Sequence, residues 1–235
     1  MIEQIGNDFY NLMLDADMAE EVVVTSPSGT QYALKMSAVP NTKSSYMQAE
    51  REYMFYGVMT FPDAATALAL RGSYFTRSRF AGRKYMLCSV IPEPTSQMIA
   101  TVFFDEVASL IDIARLVETV NATTGNTEIT ATVVQANVSA FVAETLQRQQ
   151  QTTDGNADKT ICTVRFPARY TLSNSNVILR YGFEMNPATG LNVLKKIRYR
   201  VDSIDTSMMN ISSGGVVTGT IGCQLSVDLR AQAVS

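Results

Sequence analysis

The sequence KIRYRVD at residues 196–202 alternates charged and apolar side chains. A second run, GTIGCQLSVDL at residues 219–229, has an apolar side chain at every odd position from Ile221 onward. A period of two is typical of antiparallel β-strands with one buried and one solvated face. Residues 208–215 between the runs are rich in Asn, Ser and Gly, which supply turn conformations. The two runs are therefore predicted to be neighbouring strands of a barrel or sandwich.

Short strands of this kind recur along the whole chain. A hairpin is predicted around the turn Ser26-Pro-Ser-Gly29, and a Pro92-Glu-Pro94 break is expected to end a later strand. The pattern leaves two segments open, 46–61 and 105–115, each of which fits a helix or a strand. The other predicted strands span residues 22–25, 32–39, 73–79, 84–91, 98–104, 129–143, 160–166 and 177–181.

Two further segments are assigned from composition and spacing. Apolar residues from Ile2 to Met13 recur at helical spacing, which predicts an amphipathic helix that ends near Ala19. Residues 145–158, rich in Gln and Thr, are too polar to bury apolar surface and predict a mobile loop. The strand before this loop, 129–143, is expected to place residues 134, 136, 138, 140 and 142 on one face.

The 235 residues are long enough for two small domains. The predicted fold is mainly β: two small antiparallel barrels or sandwiches in tandem with an N-terminal helix. The first domain spans 1–108 and the second 109–235, with the boundary within 105–115.

Composition limits the possible functions. Hydrophobic residues make up 46% and charged residues 17%, which fits a packed core. The net charge of −3 argues against general polyanion binding. Neither a signal peptide nor an apolar membrane span is recognisable, so a soluble chain made in the cytoplasm is expected. The three cysteines lie far apart in apolar strands and are expected to be buried, reduced thiols: Cys88, Cys162 and Cys223.

The chemistry available to the chain is narrow. It has no histidine, no phosphate-binding loop and no cysteine pairs at metal-ligand spacing, so no catalytic, cofactor or metal site is predicted. An enzyme would need two carboxylates to converge from the set Asp15, Asp17, Glu20, Glu21, Asp202 and Asp205. A nucleic-acid module would use Lys195, Lys196, Arg198 and Arg200, although a solvated strand face explains these four more simply.

The order of segments in the second half resembles the head-closure, or head–tail joining, proteins of tailed bacteriophages. The resemblance covers residues 112–229 and rests on the segment at 115–120, a Thr-Gly turn, the long strand at 133–142, the Gln/Thr loop, TVRF at 163–166, ILRYG at 178–182 and IRYRVDSI at 197–204. The chain departs from the family in the insertion EMNPATG at 184–190 and in having two domains. The first half is loosely similar to small phage neck and tail-joining barrels.

The resemblance implies a structural virion protein that forms a homo-oligomeric ring in the neck. Such a ring joins the capsid portal to the tail and helps to retain or gate the double-stranded DNA, without sequence-specific binding and without a membrane. A tail or baseplate protein is the alternative, and a tail-associated hydrolase a weaker one. The candidate partner-binding residues belong to the polar loop and the N-terminal helix: Gln147, Gln149, Gln150, Gln151, Thr152, Thr153, Phe9 and Leu12.

Overall fold

A computed structural model describes residues 14–15, 18–40, 53–94, 96–120, 125, 127–147, 159–185, 189–211 and 215–227. Strands dominate these ranges, as expected for a mainly β chain. The strands of the first half are β1 (Glu20–Thr25), β2 (Gln31–Pro40), β3 (Phe55–Thr60), β4 (Tyr74–Arg77), β5 (Lys84–Glu93) and β6 (Ser96–Glu106). Those of the second half are β7 (Ser109–Val120), β8 (Thr127–Gln147), β9 (Lys159–Pro167), β10 (Asn176–Met185), β11 (Asn192–Asp205), β12 (Met209–Ile211) and β13 (Val217–Val227).

The chain folds into two compact units. Unit 1 contains Met1–Ala108 together with two later segments, Pro167–Arg169 and Thr206–Ile221. Unit 2 contains Ser109–Phe166, Tyr170–Asp205 and Gly222–Ser235. Strand β13 therefore contributes its first residues to unit 1 and the rest to unit 2.

Unit 1 is a closed antiparallel barrel with the strand order β1-β2-β3-β6-β5-β4, which the pairing of β4 with β1 completes. Its interior is rich in aromatic rings, and the Phe75 and Phe104 rings meet edge to face with centroids 5.2 Å apart. The buried core includes Val22, Val24, Leu34, Met36, Met59, Phe61, Leu70, Phe75, Tyr85, Leu87, Val102 and Phe104.

One ion pair is buried beside this aromatic core. The Arg77 guanidinium donates to Glu20 Oε1 through Nε at 2.8 Å and Nη2 at 2.5 Å, and Glu20 Oε2 accepts from the backbone N–H of Arg79 at 3.1 Å. The guanidinium carbon also lies 4.6 Å from the Phe80 ring centroid and 5.4 Å from that of Tyr85. These contacts satisfy a charge pair that would otherwise be costly to remove from water.

Unit 1 also contains a short helix, and a glycine contact joins the chain just after this helix to the later segment, Thr206–Ile221. Helix α1 (Ala64–Ala69) is capped by Asp63, whose Oδ1 accepts from the Thr66 N–H at 2.6 Å. The carbonyl of Arg71, just after the helix, accepts from the N–H of Gly219 at 3.0 Å. A Cβ on Gly219, whose φ is +93°, would overlap the Met208 carbonyl oxygen, so only glycine allows this approach.

Unit 2 contains six antiparallel strands in the order β11-β10-β7-β8-β9-β13, and a further pairing of β11 with β13 joins the two ends of the row. The short strand β12 pairs with the part of β13 that belongs to unit 1. The pairing of β11 with β13 confirms the prediction for 196–202 and 219–229, with Tyr199, Val201, Cys223 and Leu225 buried.

Several local predictions need correction. Strand β5 continues through Pro92 to Glu93, because a register shift at this point tolerates the missing N–H of proline. Val134 and Ala136 are exposed, since register shifts in β8 interrupt the expected single face. The two open segments contain strands β3 and β7. Only Leu14, Asp15, Met18 and Ala19 of the expected N-terminal helix are described, and they form a turn before β1; the rest lies outside the described residues.

Candidate functional site

The first surface of interest is a two-stranded ribbon in unit 2. Strand β10 pairs with β7 only as far as Arg115, and β9 pairs with β8 only from Phe141 onward. Residues 116–120 and 127–131 therefore pair only with each other within the described chain. We call this ribbon of five residue pairs the β7–β8 arm. At 3.3 Å per residue it is about 17 Å long.

One face of the β7–β8 arm is mainly apolar, with Glu118 and Thr127 as its polar residues, and it is exposed within the described part of the chain. Opposed residues of antiparallel strands share a face, so Leu116 and Ala131 lie on the same side as the pair of Glu118 and Ile129 and as Val120. Val120 is 69% exposed and Ile129 is 54% exposed. A two-stranded ribbon without a packed face is marginally stable in water, so this face is suited to covering by a partner.

A second ribbon, the β10–β11 arm, consists of residues 181–185 paired with 192–196. It also has five residue pairs, because β7 pairs with β10 only up to Arg180 and β13 pairs with β11 only from Tyr199. Tyr181 is 52% exposed and Leu194 is 56% exposed, and the register places both on one face. Both arms thus combine unshared backbone edges with exposed apolar side chains.

The register places the two arms at opposite ends of unit 2. Arg115 of β7 is opposite Asn176 of β10, and Ile111 is opposite Arg180. The β7–β8 arm continues β7 beyond Arg115, whereas the β10–β11 arm continues β10 beyond Arg180, in the opposite direction along the strands. The arms therefore extend from opposite ends of the strand row.

Asp112 joins the base of the β10–β11 arm to the irregular part of β8. Its Oδ1 accepts from the backbone N–H of Asn137 at 2.9 Å, and its Oδ2 accepts from Lys196 Nζ at 2.8 Å. Asn137 has φ +56°, a left-handed conformation that Asn tolerates, at a register shift between β7 and β8. One carboxylate therefore fixes the irregular part of β8 and holds the last residue of the β10–β11 arm.

Asp112 and Lys196 each stabilise the charged form of the other. Burial alone would raise the pKa of Asp112, but the hydrogen bonds from Lys196 and Asn137 and the lysine charge outweigh it and lower the pKa. The hydrogen bonds to Asp112 and Tyr181 raise the pKa of Lys196. Lys196 Nζ also lies 5.0 Å from the Tyr181 ring centroid.

Most of the predicted partner-binding residues cannot be compared with the structure. Gln147 is the last residue of β8 and pairs with Lys159, so β8 extends into the predicted 145–158 loop. Backbone hydrogen bonds form the ladder regardless of side-chain polarity, which explains the longer strand. The remaining candidates lie outside the described residues: Phe9, Leu12, Gln149, Gln150, Gln151, Thr152 and Thr153.

Two of the described carboxylates of the candidate set have structural contacts. Glu20 forms the buried pair with Arg77, and Asp202 accepts from Arg200 Nη2 and Ser226 Oγ, each at 3.0 Å. Asp17 lies outside the described residues. In the candidate basic set, Lys196 and Arg200 are thus each bound to a carboxylate.

The cysteines are buried and reduced, as expected. The Cys223 thiol donates to the Val164 carbonyl at 3.7 Å. Burial, with a smaller contribution from the charge of Cys162, raises the pKa of Cys223 to about 12. A thiol in this state is a poor nucleophile.

The arms were not predicted from the sequence, although their strands were. One available signal was strand length: β8 has 21 residues, whereas its neighbour β9 has 9. A strand much longer than its neighbour must extend beyond it.

The described residues contain no group of three or more Cys, Asp or Glu side chains placed to hold a metal ion. No helix within them is long and apolar enough to cross a membrane. The sequence matches no protein-family model and no curated protein.

Proposed function

We propose that the protein is a structural component of a tailed-bacteriophage particle, made in the bacterial cytoplasm and incorporated into the virion. It forms a homo-oligomeric ring in the head–tail connector, between the capsid portal and the tail. The observation that carries the proposal is the uncovered apolar face of the β7–β8 arm. The order of segments that resembles head-closure proteins supports the more specific assignment to the neck.

A surface of this kind fits assembly better than transient binding. Val120 and Ile129 are more than half exposed, and they belong to a ribbon that no third strand supports within the described residues. Burying an aliphatic side chain contributes about 1.5–3 kcal/mol, so docking would stabilise both the contact and the ribbon. Repeated around an axis, the same contact closes a ring.

In such a ring the barrels are rigid walls around a DNA channel. Strand pairing fixes their shape, whereas loops and termini adapt to the rings above and below. With a net charge of −3, the chain lacks the surplus of basic residues that would hold DNA tightly. Retention or gating of DNA would then depend on the bore and on neighbouring proteins.

Assembly of the purified full chain tests this proposal. We expect light scattering after size exclusion to show concentration-dependent oligomers and negative-stain images to show rings. The variant Ile129→Ser should weaken assembly, whereas Thr130→Ser, on the other face of the same arm, should not. A wild-type chain that stays monomeric at high micromolar concentration, and that is absent from particles probed with an antibody against it, would overturn the proposal.

A further inference from the structure

We propose that the β7–β8 arm of one copy docks on the β10–β11 arm of the next copy, apolar face against apolar face. This inference rests on the proposed homo-oligomer and specifies its contact. Each arm has five residue pairs, so the two ribbons match in length. The side chains that meet are Val120 and Ile129 from one copy and Tyr181 and Leu194 from the other.

Charge favours this pairing over the contact of like arms. The sequence from 116 to 131 contains two acidic residues, Glu118 and Glu128, and no basic residue. The β10–β11 arm, residues 181–196, contains two basic residues, Lys195 and Lys196, and one acidic residue, and Arg180 and Arg198 lie next to its base. Opposite charges attract two unlike arms, whereas two copies of either arm repel each other.

The positions of the arms determine the kind of assembly. Since the arms extend from opposite ends of unit 2, each copy can place its β7–β8 arm on one neighbour. It can also bind the β7–β8 arm of another neighbour with its own β10–β11 arm. A contact between unlike surfaces is heterologous and propagates from copy to copy. It produces a ring if the rotation closes, rather than a two-fold dimer.

The same basic residues also have the chemistry to bind DNA phosphates. The β10–β11 arm fits the protein partner better because Tyr181 and Leu194 are exposed beside the charges. DNA binding is therefore the competing result of the test. A phosphate-binding arm would lose affinity steeply as salt rises.

Two variants with complementary defects test the contact. Ile129→Asp disables the β7–β8 arm, and Leu194→Asp disables the β10–β11 arm. Both positions are exposed, so circular dichroism should show wild-type folding. We expect each variant alone to be monomeric in native mass spectrometry, with the dissociation constant raised at least tenfold. An equimolar mixture should form dimers with one copy of each variant and nothing larger, because each variant retains the arm that the other lacks.

Other outcomes distinguish the different ways in which the inference could be wrong. If the wild type assembles and Ile129→Asp alone disrupts it, the β7–β8 arm pairs with itself and the inference is wrong. If the wild type assembles and neither variant changes its mass, a different surface forms the ring and the inference is also wrong. Salt-sensitive binding to a 30-base-pair duplex that Lys195→Gln weakens, with assembly unchanged by Leu194→Asp, assigns the arm to DNA instead. A wild type that stays monomeric at high micromolar concentration overturns this inference, and its absence from particles overturns the proposed function as well.

Discussion

The replacement of Asp112 by Ala tests the contacts that hold the irregular part of β8 and the base of the β10–β11 arm. The substitution removes the acceptor of the Asn137 N–H, 2.9 Å away, and the partner of Lys196 Nζ, 2.8 Å away. A hydrogen bond to a charged group contributes about 1.5–3 kcal/mol, and the bond between Asn137 and Asp112 is partly buried. A loss of 2 kcal/mol lowers Tm by about 4–8 °C in a chain of this length. Asp112→Asn keeps a side-chain oxygen for Asn137, so its effect should be smaller.

The measurement combines urea unfolding, followed by circular dichroism, with hydrogen exchange of the arms. Lys196→Met is the matched control, because it removes the ion pair and leaves the Asp112 bond to Asn137. We expect Asp112→Ala to be the least stable of the three variants and to increase exchange in the β10–β11 arm and in β8 around Asn137. Unchanged exchange in the β10–β11 arm would contradict this anchor, and Asp112→Ala no less stable than Lys196→Met would show that the Asn137 bond contributes nothing.

The dependence on pH follows from the two pKa shifts. The pKa of Asp112 lies below its ordinary value of 3.8, so its stabilisation is present above that pH and is lost as the pH falls through the folded-state pKa. The pKa of Lys196 lies above 10.5, so its stabilisation is present below that pH and is lost as the pH rises further. The difference between wild type and Asp112→Asn should therefore be largest near neutral pH and shrink at both extremes.

Three other substitutions or reactions test the interior. Glu20→Ala should cost about 3–5 kcal/mol in urea unfolding, because it leaves the Arg77 guanidinium buried without its partner, whereas Glu20→Leu combined with Arg77→Met should restore most of that loss. Cys223, with its pKa raised to about 12, should react with a thiol reagent at pH 8 about three orders of magnitude more slowly than an unfolded cysteine; rapid labelling of the native chain would contradict its burial. Gly219→Ala should lower Tm more than Gly29→Ala, since both glycines have positive φ but no atom lies within 4 Å of a Cβ at Gly29; equal losses would exclude a close backbone approach.

Alternation along the chain was sufficient to locate most of the strands. Cys223 and Leu225 are buried in β13 as the period of two predicts, because a strand with one packed face must alternate. The pattern failed in β8, where the left-handed Asn137 and the register shifts beside it change which side chains face the core. A bulge adds one residue to one strand of a pair, and the amino-acid composition does not mark its position.

Local sequence patterns did not predict which segments of the chain belong to unit 1. Residues 206–221 belong to this unit through main-chain contacts such as that of Gly219 with the Arg71 carbonyl. Such contacts join segments far apart in the chain and involve a residue without a side chain. Glycine-rich sequence here predicts turns equally well, and turns were predicted.

The arms illustrate a more general limit of sequence analysis. Val120 and Ile129 follow the same alternation as residues in a packed sheet, so the sequence does not distinguish a supported strand from an unsupported one. The difference arises where the neighbouring strands end, at Arg115 for β10 and at Phe141 for β9. An apolar face that continues beyond the last supporting strand has no partner within the described chain. Covering this face would contribute about 25 cal/mol for each Å² of apolar surface, which is why the arms are the structural basis of the proposed assembly.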